Sequence, residues 1–258
     1  MRRKYMLPIV IAILVLIFGY GCPPPEESIE PPQNLVLEGA KNEDDLDVNL
    51  KLSWSPSPTE DIDGYKIYFK GAEIAEVDAD VTQWTHVAPT EVGTYRVTAY
   101  RGDEESAAIE ASTEPYEGTG ELYIRAAPPG NDSGWGWNWD SGEGASYPLR
   151  RENKDYIDMY YENDSTLTSA HILWADGNIT GFKVIDATYE NVGNVPTFGY
   201  ISSELVVLNQ VYAIAIRKKN PDIWHYIKLK ITAVASTPYE RINFRYAYQR
   251  VINFTLMD

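Results

Sequence analysis

The sequence predicts an all-β protein of two successive antiparallel units behind an N-terminal leader, and three observations carry the prediction. Hydrophobic residues fall in short runs that alternate with polar ones and end at Gly, Pro, Asn or Asp, the period and punctuation of strands and turns. Residues 117–258 hold no helical period of useful length. The 258 residues exceed one average domain of about 100 to 150 residues and fall short of three, and nineteen Tyr with seven Trp supply burial area for two cores.

Composition narrows the function classes. Hydrophobic residues make up 44% of the chain, which argues against global disorder. The formal charge is −16, and without Arg2, Arg3 and Lys4 it is −19. Such a chain repels nucleic acid and anionic membrane surfaces, whose binding rests on Lys and Arg contacts to phosphate. The imbalance is uneven, with 18 acidic and 6 basic residues in 31–116 against 17 and 13 in 117–258, and it fits solubility in a salty exterior. Cys22 is the lone cysteine, so no intrachain disulfide forms.

The leader comes first in the chain. A basic start (Arg2, Arg3, Lys4), an apolar run from Leu7 to Phe18 and the small-residue exit Gly19-Tyr20-Gly21 lead to Cys22, the plan of a signal peptide over residues 1–21. The run is too short for an ordinary spanning helix of roughly 20 residues. Pro23-Pro24-Pro25 then stops any helix, because proline lacks the amide donor and clashes with the preceding turn. The exit resembles the lipobox of bacterial lipoproteins, which implies diacylglycerol on Cys22, a membrane anchor, and residues 22–32 as an extended spacer. The same cut satisfies ordinary signal peptidase through Gly19 and Gly21, leaving a secreted protein with a free cysteine. A lone cysteine at that exit has no structural task, which favours lipidation.

Residues 33–116 form the first unit. Leu46, Val48, Leu50, Leu52 and Trp54 share one face of a strand; Tyr65–Phe69, Trp84–Val87 and Tyr95–Tyr100 follow. Pro32-Gln33-Asn34-Leu35, Leu50-Lys51-Leu52-Ser53-Trp54-Ser55-Pro56, Ile62-Asp63-Gly64-Tyr65-Lys66-Ile67-Tyr68 and Gly93-Thr94-Tyr95-Arg96-Val97-Thr98-Ala99-Tyr100 stand in the order and spacing of a fibronectin type III domain, which the segment resembles. The resemblance implies that Trp54 is the core tryptophan of the second strand and that Tyr95 matches the tyrosine-corner position. Arg101-Gly102-Asp103 falls between the last two strands, where a tight turn through Gly102 outweighs an integrin ligand. The acidic groups Glu43–Asp47 and Glu60–Asp63 lack calcium-loop spacing and read as solvated loop charge.

Residues 117–258 form the second unit, expected as a β-sandwich or an open barrel. Alternation recurs at Leu122–Ala126, Tyr156–Tyr161, Ile179–Ala187, Val211–Arg217, Trp224–Ala233 and Ile242–Tyr248. On the last of these, Ile242, Phe244, Tyr246 and Tyr248 share a buried face, and Asn243, Arg245 and Gln249 a wet one. In Gly134-Trp135-Gly136-Trp137-Asn138-Trp139 the period of two sends Trp135, Trp137 and Trp139 to one side. Exposed, they make a stacking platform for a sugar or aromatic ligand. Buried, they are core opposite a glycine-lined approach of backbones, the favoured alternative.

The runs Val211–Arg217 and His225–Ile231 and the closing Phe244–Gln249 resemble the C-terminal portion of haemophore-type surface lipoproteins. That resemblance implies an alternative as a haem or small-ligand carrier. Haem capture there uses paired axial side chains, and neither His171 nor His225 stands at a matching position; a partly buried, hydrogen-bonded His225 is favoured, and no cofactor is expected. Three scattered histidines and no C-x-x-C or H-E-x-x-H spacing give no metal signal, and Asp132-Ser133-Gly134 and Asp140-Ser141-Gly142 lack the context of a serine hydrolase. Paired carboxylates of a glycosidase remain a further alternative. The expectation is a non-catalytic, lipid-anchored extracytoplasmic module that binds a protein or glycan partner.

Overall fold

The computed structural model describes residues 28–41, 48–128, 133–218 and 222–258. Cys22, the leader, most of the spacer, Leu46 and the acidic group 43–47 lie outside the described residues. All the long elements are strands; the helical pieces are single turns.

The first unit comprises β1 (Gln33–Lys41), β2 (Val48–Ser55), β3 (Gly64–Phe69), β4 (Ala72–Asp78), β5 (Gln83–His86), β6 (Thr94–Arg101), β7 (Glu104–Glu105) and β8 (Ile109–Ser112). One sheet runs β1-β2-β5 and the other β4-β3-β6, with β7 and β8 each pairing to β6. This is the strand order of a fibronectin type III sandwich. Leu50, Leu52 and Trp54 alternate into the core as expected, and the Trp54 ring meets Tyr65 edge-on at 5.5 Å. Tyr95 is fully buried, but its hydroxyl lies 2.6 Å from Nδ1 of His86 across the sandwich, where a tyrosine corner would bond backbone. Arg101 pairs with Glu104, leaving Gly102-Asp103 as a two-residue loop. Gly102 takes φ +58°, and its amide donates to Asp63 Oδ2 at 2.7 Å, so the tripeptide is a turn tied to its own domain.

The second unit comprises β9 (Tyr116–Tyr123), β10 (Gly134–Trp137), β11 (Gly144–Tyr147), β12 (Met159–Tyr161), β13 (Thr166–Ser169), β14 (Ile179–Ile185), β15 (Ser203–Leu205), β16 (Val211–Arg217), β17 (His225–Ala235) and β18 (Arg241–Tyr248). Two five-stranded antiparallel sheets form, β11-β10-β12-β13-β15 and β14-β16-β17-β18-β9, so the unit is a sandwich and not an open barrel. Trp135, Trp137, Met159, Tyr161 and Leu167 face Tyr212, Ile214, Leu229, Phe244 and Tyr246 across the core.

Strand β16 is buried on both faces. Tyr212, Ile214 and Ile216 point into the sandwich, while Val211, Ala213 and Ala215 lie behind it under Tyr189, Val192 and Val195. The expectation of a wet face on β18 therefore needs correction at its end. Asn243 and Arg245 are half-buried, but Ala247 and Gln249 are covered by the segment that follows.

That segment, 249–258, leaves the second sandwich and enters the first. Val251, Phe254 and Leu256 belong to the same apolar cluster as Leu50, Leu52 and Tyr65. The Gly39 amide donates to the Ile252 carbonyl at 2.9 Å, and a Cβ on Gly39 would stand 2.2 Å from the Asn253 carbonyl oxygen, so only glycine admits the crossing backbone. The Gln249 amide nitrogen donates to the carbonyls of Thr113 and Leu256, while its oxygen accepts from the Val251 amide. At the far end, buried Lys228 donates to Asp258 Oδ1 at 2.5 Å, and the Val92 amide of the first sandwich donates to the Asp258 backbone oxygen. Each apolar side chain so buried contributes about 1.5–3 kcal/mol. The segment clasps the two sandwiches together.

Candidate functional site

The three indoles do not form a platform. Trp135 and Trp137, 4% and 2% exposed, point between the sheets; Trp135 meets Phe244 edge-on at 5.0 Å and Trp137 meets Tyr246 at 5.6 Å. Behind them the outer face of β10 is closed as well. A Cβ on Gly136 would stand 1.6 Å from the Tyr156 carbonyl oxygen, and one on Gly134 would strike Ile157. The glycines admit that close backbone approach while the indoles fill the core, which is the core placement weighed for the motif. Trp139 lies past the strand end, half-buried, with its ring 4.7 Å from that of His225. A groove of about 900 Å³ runs along the β9 and β11 edges, but Gly120 and Gly144 lie against the Trp135 ring, so little indole surface reaches it.

Around Trp139 the sandwich ends in a cluster that sequence reading did not assemble. Asp158, fully buried at the start of the β12 segment, accepts the Trp137 amide on Oδ2 at 2.8 Å and the Asn178 side-chain amide on Oδ1 at 3.0 Å. The Lys218 ammonium stands 3.8 Å from Oδ1, donates to the Trp137 carbonyl at 2.9 Å and lies over the Trp139 ring. His225 is held between Trp139 and Tyr248, whose ring stacks on it at 5.3 Å. Nδ1 of His225 faces the Gln249 carbonyl, while its Nε2 and the Tyr248 hydroxyl have no hydrogen-bond partner among the described residues. A lone Asp in the apolar run Tyr156–Tyr161 was the signal for this cluster.

Burial pushes the Asp158 carboxyl up to about 6, against the pull of Lys218 and its two donors. It pushes the His225 imidazole down to about 4, with the Gln249 carbonyl opposing. Buried, shifted groups mark functional sites in many proteins. Here Asp158 and Lys218 spend their hydrogen bonds on β10 and the turn before β14, a bracing role.

The two shifts predict opposed pH dependences. Asp158, raised above its unfolded value, contributes stability present below about pH 4 that is lost as pH rises through 6. His225, lowered, contributes stability present above about pH 6.5 that is lost as pH falls through 4. The slopes nearly cancel. Relative to wild type, His225→Gln should gain about 3 kcal/mol between pH 7 and 4, and Asp158→Asn should lose a similar amount. Urea unfolding of the three proteins across that range checks this; parallel profiles would contradict the opposed linkages.

His171 follows β13 on a one-turn helix, with Nδ1 2.7 Å from Ser169 Oγ. Ser169 is fully buried and also accepts the Thr180 amide, so this Ser-His contact is internal bracing. Among the described residues, no group of three or more His, Cys, Asp or Glu gathers at metal-binding distance.

No family model matches the chain, and no curated protein matches it. Among solved structures, the central fibronectin-III array of RIM-binding protein is similar over 83% of this chain and 88% of that one, at 12% identity and a TM-score of 0.27.

Proposed function

We propose that the protein is a non-catalytic, extracytoplasmic binding module, lipid-anchored to a bacterial membrane through Cys22, in which the first sandwich is a rigid pedestal for the second. The observation that carries this reading is the clasp. Strand-sandwich modules joined by a bare linker move independently by default. Here Val251, Phe254 and Leu256 sit in the first core and Lys228 holds Asp258 at the back of the second sheet, so a partner pulling on one unit loads the other. The anchor itself is supported by the leader and the single cysteine at its exit. The partner is a protein or a glycan at the surface; the charge disfavours nucleic acid.

Expressed with its leader in a bacterium fed an alkyne-tagged fatty acid, the chain should take up label and fractionate with membranes. Cys22→Ser should lose the label and move to the soluble extracytoplasmic fraction. A soluble, unlabelled wild-type chain would contradict the anchor and leave a secreted protein.

A further inference from the structure

Behind the second sheet lies a cavity of about 250 Å³ that none of the sequence motifs marked. Gly181 of β14 and Ala215 of β16, paired across the sheet, line it, and a Cβ on Gly181 would stand 2.5 Å from that of Tyr200. Strand β16 alternates bulky residues toward the sandwich with Val211, Ala213 and Ala215 behind it, and the small residue at 215 leaves room where another valine would fill it. The walls are the rings of Tyr200, Trp224 and Tyr226. Tyr200 arrives on the excursion between β14 and β15, pinned by its hydroxyl donating to the Pro196 carbonyl at 2.5 Å. Trp224 is held by the clasp: its amide donates to Asn253 Oδ1, and the Asn253 amide donates to the Trp224 carbonyl.

The chemistry of the lining is specific. No lining side chain is charged. Tyr226 lines the cavity at 3% exposure, and its hydroxyl, which has no protein hydrogen bond among the described residues, is not sealed from solvent. Thr197 and Ser202 add two more hydroxyls at the rim. A phenol at a cavity wall with no protein partner is an open position for a ligand or water. The rings of Tyr200 and Tyr226 suit a compact ring, and hydroxyls on an uncharged lining suit an uncharged ligand that both donates and accepts, with the Arg217 guanidinium outside the lining over the Trp224 ring at 5.3 Å.

We propose that this cavity binds one neutral pyranose ring, stacked on the aromatic walls and hydrogen-bonded to the Tyr226 hydroxyl. The inference rests on the binding-module reading of the second sandwich and is independent of the lipid anchor.

The test uses the full chain from detergent-solubilised membranes, titrated calorimetrically with glucose, galactose, mannose and N-acetylglucosamine. Glucuronate serves as a charged control and benzyl alcohol as a flat apolar one. At least one neutral sugar should bind and quench tryptophan fluorescence. Ala215→Leu, which fills the cavity, should weaken binding by tenfold or more, and Tyr226→Phe, which keeps the ring and removes the hydroxyl, by several-fold, each with an unchanged near-ultraviolet dichroism spectrum. If Ala215→Leu fails to fold, Tyr226→Phe decides alone. The proposal is overturned if no neutral sugar binds, if binding survives Tyr226→Phe undiminished, or if benzyl alcohol or glucuronate binds as well as the sugars. A chain that binds sugar but carries no lipid would overturn the anchor and leave this site standing.

Discussion

Phe254→Ala lowers the stability of the first sandwich by about 3 to 5 kcal/mol, although the residue lies six positions past the last strand of the second. Phe254 is 1% exposed and packs in the cluster built from Leu50, Leu52, Trp54 and Tyr95. Truncation leaves a cavity in the first core, and the neighbouring Gly39 to Ile252 hydrogen bond loses the packing that holds it. The midpoint of urea unfolding should fall with an unchanged slope if the two units still unfold together. A change confined to the second sandwich would show that the clasp is superficial.

Trp135→Ala should cost a similar 3 to 5 kcal/mol, and Trp139→Ala under about 1 kcal/mol, although the two indoles belong to one motif. Trp135 is enclosed by Phe244, Tyr246 and Trp137, and the glycines at 120 and 144 are shaped around its ring. A side chain at either position would occupy the indole's space, so the void left by alanine has no neighbour able to fill it. Trp139, at the rim, touches His225 and the Lys218 ammonium and keeps part of its surface in solvent. Thermal unfolding of both variants checks the contrast. Equal small losses would return the motif to the surface.

Much of the fold was legible because alternation against a core is a strong local signal. Strand β16 was found at its observed ends, and Leu50, Leu52 and Trp54 took the expected face. Strand β4 was missed: its Ala-Glu-Ile-Ala-Glu-Val sequence is rich in residues that favour helix, and only Ile74, Ala75 and Val77 pack against the core. The Tyr156–Tyr161 run was placed early, because Tyr156 is exposed and pairing begins at Met159. Pattern alone assigned Gln249 to solvent, since a polar residue in alternation reads as wet. Its burial follows from a tertiary event, the return of 250–258 across the sheet, which no local period encodes. The density of Val251, Ile252, Phe254, Leu256 and Met257 in a segment ten residues long was the available sign that it had somewhere to pack.

The site was less legible than the fold for the same reason. Trp135, Trp137 and Trp139 stood out by sequence yet divide between core and rim. The groups the fold brings together come from distant segments: Asp158, Lys218, His225 and Tyr248 at one end, and Gly181, Tyr200, Ala215 and Tyr226 behind the sheet. An alanine in a strand of bulky residues is a quiet mark, informative only once its face is known.

Scanning calorimetry of the full chain tests the clasp most directly. One transition is predicted, with calorimetric and van't Hoff enthalpies in agreement, because the first core cannot melt without releasing Phe254 and the second sheet cannot open without releasing Lys228 from Asp258. Two separate transitions, unchanged in Phe254→Ala, would show two independent domains and contradict the pedestal.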